Sequence, residues 1–198
     1  MSRLLLLRHG QSTWNAEGRW QGWADPPLSA LGEAQARAAA ERLADAGLVS
    51  VVSSDLQRAR RTAELIAERL GLEVLPVEPD LRERNIGDWS GLTTTEIEQG
   101  WPGWLAAWRA GELERPPNGE SRDDIARRVL AVLERLAAGD GGGVLVVTHG
   151  GVIHLVQDHL GCDSVRMGNL CGRWLEVGLL PGEAVLVPDE EAPATIAL

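Results

Sequence analysis

Four consecutive leucines, Leu4 to Leu7, run straight into Arg8, His9 and Gly10. A short apolar run closed by polar residues and glycine reads as a buried strand emptying into a loop. The loop, His9 to Pro27, is rich in glycine, tryptophan and polar residues. From about Ser29 to Ala46 the pattern is helical, with Ser29 placed to cap the helix and Gly47 to end it. Val49 to Asp55 then predicts a second buried strand. Leu56, Ala59, Ala63, Ile66 and Leu70 recur at helical spacing and Gly71 closes that segment, which predicts a second helix. Leu72 to Val77 predicts a third strand, leading into Leu81-Arg82-Glu83.

The regularity breaks between Asn85 and Glu120, where glycines and prolines separate Trp89, Trp101, Trp104 and Trp108. Trp101, Trp104 and Trp108 are spaced i, i+3, i+7, so a helix there would carry them on one face, and packing is the expected role of at least two of them. Ser121 to Ala138 predicts an amphipathic helix with Ile125, Val129, Val132, Leu133 and Leu136 on its apolar side. Val144 to Val147 then repeats the opening design, a buried strand ending in Thr148-His149-Gly150 and turning into a helix. RWLEVG and EAVLVP predict a closing hairpin at a sheet edge, and the final EEAPATIAL predicts disorder.

Strands alternating with helices along most of the chain argue for an α/β fold, a mostly parallel sheet with helices on both faces and an antiparallel edge. The 198 residues fit one domain, 1–198, with an excursion at about 85–120 that passes over the sheet like a lid. No apolar run is long enough to cross a bilayer, and no signal-peptide pattern precedes the first strand, so the expected location is the cytoplasm. A net charge of −10 argues against nucleic acid as a partner. All 19 basic residues are arginine, whose planar fork suits phosphate or carboxylate. Cys162 and Cys171 follow no metal or redox spacing and are expected to be reduced.

Chemistry enters with the two strand-end histidines. Parallel strands line up their carboxyl ends, so His9 and His149 can converge although they are far apart in sequence, at the edge where open α/β sheets bind ligands. Gly150 and Gly151 allow close backbone approach, and the helix they open directs N–H groups and a positive dipole end at the same place. An anion suits such a site. A metal suits it less. His154 and His159 lie about 140° and 80° round the helix from His149 on opposite sides, so the three cannot form one ligand face. His159 is expected at the surface, and His154 either on a pocket wall or in packing.

In order along the chain, RHG at 8–10, SSDLQRARRTA, LRERNIGDWSG, PPNGES and VTHGG resemble the histidine phosphatase superfamily, in its phosphoglycerate mutase-like branch. The likeness is strongest to the compact phosphatases of that branch, glucosyl-3-phosphoglycerate phosphatases among them, which share the SSDL, GDW-x-GLT and MGN stretches. It implies a three-layer αβα sandwich and a phosphomonoester hydrolase that works through a phosphohistidine, without metal or other cofactor, on a small sugar- or glycerate-type phosphate. It also implies roles for individual residues. His9 is the nucleophile, Arg8, Arg58 and His149 complete the phosphate pocket, and Glu83 is the proton donor. Asn15 and Gln21 contact phosphate oxygens, with Ser12, Gly22 and Gly150 nearby, and Glu120 and Ser121 brace the site.

Each implied role has a physical reason. Arginine forks and a donating histidine stabilise charge on the non-bridging oxygens of a moving phosphoryl group. His9 must attack as neutral imidazole with its proton on the far nitrogen, a tautomer that the Gly10 carbonyl could fix. His149 would serve best as a charged donor. Glu83 must hand a proton to the leaving oxygen and later take one from water; otherwise it is a salt-bridge partner for Arg82 or Arg84. Between Leu92 and Glu112 the chain offers only Arg109 as a cation, which favours water over a second organic acceptor. The alternatives are a mutase-type phosphoryl transfer and a phosphate-binding module without catalysis. Seven of the eight tryptophans fall in 14–23 and 89–108, where their faces could hold the organic part of a substrate or simply seal the pocket. Oligomeric state is open, a homodimer being one alternative.

Overall fold

The computed structural model describes residues 1–139, 141–162 and 167–185. Six strands form one sheet: β1 (Arg3–Arg8), β2 (Leu48–Ser53), β3 (Glu73–Val74), β4 (Gly143–Thr148), β5 (Gly172–Glu176) and β6 (Leu180–Val185), in the order β3-β2-β4-β1-β5-β6. β1, β2, β3 and β4 pair in parallel, and β5 and β6 add the antiparallel edge as a hairpin. The central pair runs in register from Arg3 opposite Gly143 to Arg8 opposite Thr148.

Side chains alternate across the pleat, and the alternation sorts the core into two layers. Leu4, Leu6, Val144 and Val146 face one side, where they pack against α6 (Arg122–Ala137) and α7 (Gly150–His159). Leu5, Leu7, Leu145 and Val147 face the other, against α2 (Ala30–Arg42) and α3 (Gln57–Leu70). Strands buried on both faces need continuous apolar runs, which is why LLLL and VLVV read as they do. The result is the expected three-layer αβα sandwich.

Three local expectations differ from the structure. α2 stops at Arg42, because Leu43 to Ala46 form a turn that delivers Gly47, at φ +68°, to the start of β2. The run LEVLPV makes only the two-residue β3 at the sheet edge, where Val74 and Val77 are exposed; Pro76 has no N–H for a ladder. The three tryptophans do not share one helix. α4 (Thr94–Gly100) ends at Trp101, and Pro102-Gly103 breaks the chain before α5 (Trp104–Arg109). Trp101 and Trp108 pack against a third cluster built on Trp20, Ile86, Trp89, Ile97 and Leu105, whereas Trp104 is exposed. The remaining short helix, α1 (Thr13–Ala16), follows β1 directly. The predicted terminal disorder falls on residues outside those described.

Candidate active site

His9 and His149 each follow the last paired residue of their strand, so one register places both. Their ring centroids are 5.1 Å apart, edge to face. The His9 N–H donates to the Thr148 carbonyl at 3.0 Å and the Asn169 amide donates to the His9 carbonyl at 2.9 Å, so the backbone at His9 is held from both sides. His9 Nδ1 lies 2.6 Å from the Gly10 carbonyl. A carbonyl only accepts, so the proton sits on Nδ1 and the Nε2 lone pair is free. The loop carrying this carbonyl presses on α2: a Cβ on Gly32 would collide with the Gln11 carbonyl oxygen, which restricts the position to glycine.

Cations surround the pair. Arg8 Nη1 donates to the Met167 carbonyl at 2.7 Å. Arg58 is 1% exposed, and its Nη1 and Nη2 donate to the carbonyls of Ala24 and Gly22 at 2.8 and 2.9 Å. Those bonds fix both the guanidinium and the loop after β1. Arg58 Nε and both ring nitrogens of His149 are buried without a protein hydrogen-bond partner among the described residues, the kind of orphaned polar groups that points to a ligand. Burial lowers the Arg58 pKa to about 10, so it remains a cation at neutral pH.

Glu83 meets the start of α7 and lines the same cleft as His9. Its Oε2 accepts from the Gly151 N–H at 3.1 Å and its Oε1 from the Arg84 N–H at 2.9 Å. Arg82, one of the two salt-bridge partners considered for it, instead pairs with Asp55 at 2.5 Å. A Cβ on Gly151 would collide with the Glu83 carboxylate, while Gly150 sits against the Arg8 side chain. The close approach expected of these glycines therefore admits the protein's own site residues.

Arg8, His9, Asn15, Gln21, Gly22, Arg58, Glu83 and Gly150 all line one cleft of about 880 Å³. Ser12 and His149 do not. Ser12 is fully buried, caps α1, and donates to Gln21 Oε1 at 2.8 Å; Asn15 Oδ1 accepts the Ser12 N–H to close the capping box. Ser121 likewise caps α6, and Glu120 accepts from Arg128 and from the Asn85 N–H. His154 stands on the cleft wall, half exposed, 3.7 Å from Asp158. Sequence reasoning missed Arg19, Arg84 and Arg122 as wall residues. The guanidinium of Arg84 lies over the Trp108 ring, 5.1 Å from its centroid. A charge pattern alone does not separate such a group from a surface ion pair. Among the described residues no cluster of three or more His, Cys, Asp or Glu side chains is arranged to hold a metal ion, and no helix is long and apolar enough to cross a membrane.

Burial is the main cause holding His9 and His149 well below the ordinary imidazole value of 6.5, with Arg58 and Arg8 adding repulsion. Burial therefore favours the neutral form of His149 in the protein alone, whereas the charged donor expected from the sequence is a state facing a bound phosphate. A phosphate dianion beside Arg8 and Arg58 would oppose those causes. The sign of the linkage follows. Below about pH 6.5 the unfolded chain takes up protons that the native histidines refuse, so stability is complete above that value and falls as pH drops through it. Denaturant unfolding at pH 7.5, 6.0 and 5.0 is expected to show a slope approaching about 1.4 kcal/mol per pH unit for each of the two. A substitution at either should flatten it.

The sequence matches the family model "Histidine phosphatase superfamily (branch 1)" over residues 4–171. It is 44% identical over 159 residues to a glucosyl-3-phosphoglycerate phosphatase of Mycolicibacterium vanbaalenii, covering 76% of this chain and 70% of that one. It is 45% identical over 161 residues to a 2,3-bisphosphoglycerate-dependent phosphoglycerate mutase of Methylobacterium radiotolerans, covering 76% and 75%. Among solved structures, that of mycobacterial glucosyl-3-phosphoglycerate phosphatase in complex with VO3 superposes with a TM-score of 0.82 at 37% identity, covering 93% of this chain and 97% of the other. With the paired strand-end histidines, the arginines and the matched motifs in place, the chain belongs to the histidine phosphatase superfamily, branch 1.

Proposed function

We propose that this histidine phosphatase hydrolyses the monoester of a small organic acid or sugar phosphate through a phosphohistidine on His9, without a metal. The observation that carries the reading is the geometry at His9, whose Nδ1 is tied to the Gly10 carbonyl at 2.6 Å, leaving Nε2 as the attacking nitrogen beside the buried Arg8 and Arg58. In the first half-reaction Nε2 attacks phosphorus, the ester P–O bond breaks, and the Glu83 carboxyl gives its proton to the departing oxygen. In the second, the Glu83 carboxylate takes a proton from water as the water oxygen attacks phosphorus. The P–N bond breaks, and inorganic phosphate and free His9 are restored. Arg8 and Arg58 neutralise charge on the non-bridging oxygens throughout, where bulk water would have to reorganise.

Arg109 is the one cation that residues 92–112 supply, and the cleft wall also carries Arg19, Arg84 and Arg122 from outside that segment. A guanidinium stacked on Trp108 suits a second anionic group attached to a flat or sugar-like body. That favours a glycerate-type phosphate over a simple alcohol phosphate. It also keeps a mutase as the second reading, since a transferase would use the same cations.

Phosphate release from 4-nitrophenyl phosphate in the presence of EDTA, followed by a screen of sugar phosphates, phosphoglycerates and glycosylated phosphoglycerates, tests the proposal. Turnover is expected to survive chelation and to be fastest on substrates with a carboxylate. Primed isomerisation of a phosphoglycerate, assayed in parallel, is expected to be slower than hydrolysis. Loss of turnover on chelation, or isomerisation outrunning hydrolysis, would sink the reading.

A further inference from the structure

Glu83 lies in a segment without helix or ladder bonds to fix it. Residues 82–86 are irregular, following a single 3-10 turn at Pro79–Leu81. A general acid nonetheless has to be held within hydrogen-bond reach of one oxygen. The restraint comes from side chains of other elements. Arg128, on α6, donates from Nη1 to the carbonyls of Asp80 and Arg82, both at 2.7 Å, and from Nη2 to the Glu83 carbonyl at 3.0 Å. Its Nε and Nη2 also donate to the two carboxylate oxygens of Glu120, at 3.0 and 2.9 Å. A guanidinium has five N–H donors, and all five are used.

Between Asp80 and Glu83 the one other carbonyl, that of Leu81, accepts from the Thr148 hydroxyl at 2.8 Å, one residue before His149. Glu120 extends the clamp past Glu83 by accepting the Asn85 N–H, while its own N–H donates to the Asn85 carbonyl, both at 2.8 Å. Both partners of the ion pair are largely buried, at 13% and 17% exposure. Charge-assisted bonds in such surroundings are strong and directional.

Resting on the reading of Glu83 as the proton donor, we infer that Arg128 is a positioning residue for catalysis: gripping the carbonyls of Asp80, Arg82 and Glu83, it sets where the Glu83 carboxyl meets the leaving oxygen. Arg128 does not line the cleft, and its hydrogen bonds reach Glu83 through the backbone of 80–83. Lysine cannot replace it, because one ammonium cannot reproduce five donors in a planar fork.

The test uses leaving-group chemistry. A general acid matters most when the departing oxygen is basic, so its displacement slows alkyl phosphates more than 4-nitrophenyl phosphate. Arg128→Met and Arg128→Lys are compared with wild type and with Glu83→Gln, reading kcat/KM, which reports the first phosphoryl transfer. Arg128→Met is expected to lose about 30-fold or more on an alkyl phosphate and only a few-fold on the nitrophenyl ester, a fraction of the 10²–10⁴ that general acids supply. Arg128→Lys should show the same selective loss in smaller measure.

Equal losses on both substrates, or no loss, would overturn the inference. Failure of both Arg128 variants to fold would overturn it too, by making Arg128 a residue of the fold alone. If Glu83→Gln itself shows no leaving-group selectivity, the proton-donor reading beneath the inference falls. If Glu83→Gln shows it and folded Arg128 variants do not, only the inference falls.

Discussion

His9→Gln is expected to lower kcat/KM on any accepted phosphomonoester by at least about 10⁴-fold, the scale on which removal of a nucleophile acts. Glutamine keeps a polar side chain at the strand end but offers no lone pair able to form the P–N bond. Acid-quench trapping with labelled substrate should find acid-labile phosphate on the wild type and none on the variant. The fold should tolerate the change, since the backbone bonds of His9 to Thr148 and Asn169 are independent of its ring. A folded variant that retains turnover within tenfold of wild type would move the nucleophile elsewhere.

His149→Leu is expected to separate catalysis from stability. The ring lies edge-on to His9, fully buried, with neither nitrogen hydrogen-bonded to the protein among the described residues. Losing it should cost about 10²–10³ in kcat/KM, as for one donor to a developing anion. Stability at pH 7 should rise by about 1–2 kcal/mol, because leucine removes two buried polar atoms without partners. The gain should grow below pH 6.5, where the native imidazole resists a proton that the unfolded one accepts. Urea unfolding of wild type and variant at two pH values measures both effects. A less stable variant would mean that the imidazole is held by something other than the site's chemistry.

Much of the fold is legible in the sequence, because strands buried on both faces leave no room for polar residues. LLLL and VLVV stand out for that reason, and their abrupt ends mark His9 and His149. Ser29, Ser121 and Gly71 mark helix ends through local bonding, which is why they appear where expected. Glu83 and Arg58 have no such local signal and are picked out only by family resemblance. Arg84 and Arg128 escape both routes. Each sits in a run of charges where spacing cannot say which guanidinium meets solvent, which a ring and which a backbone carbonyl. Trp104 shows the same limit in reverse, being in phase with Trp101 and Trp108 until Pro102-Gly103 resets the helix.

The in-register pairing of β1 with β4 has a consequence for how the chain can vary in length. Each strand residue advances about 3.3 Å and reverses the side-chain direction. One residue removed from β1 would therefore carry His9 to the opposite face of the sheet from His149 as well as away from it. Residues 85–120 contribute no strand to the six-stranded sheet. Insertions and deletions scanned along the chain should thus divide sharply: changes of length are expected to be tolerated around the exposed Trp104, outside the third cluster, whereas in β1 and β4 they are expected to separate the two histidines.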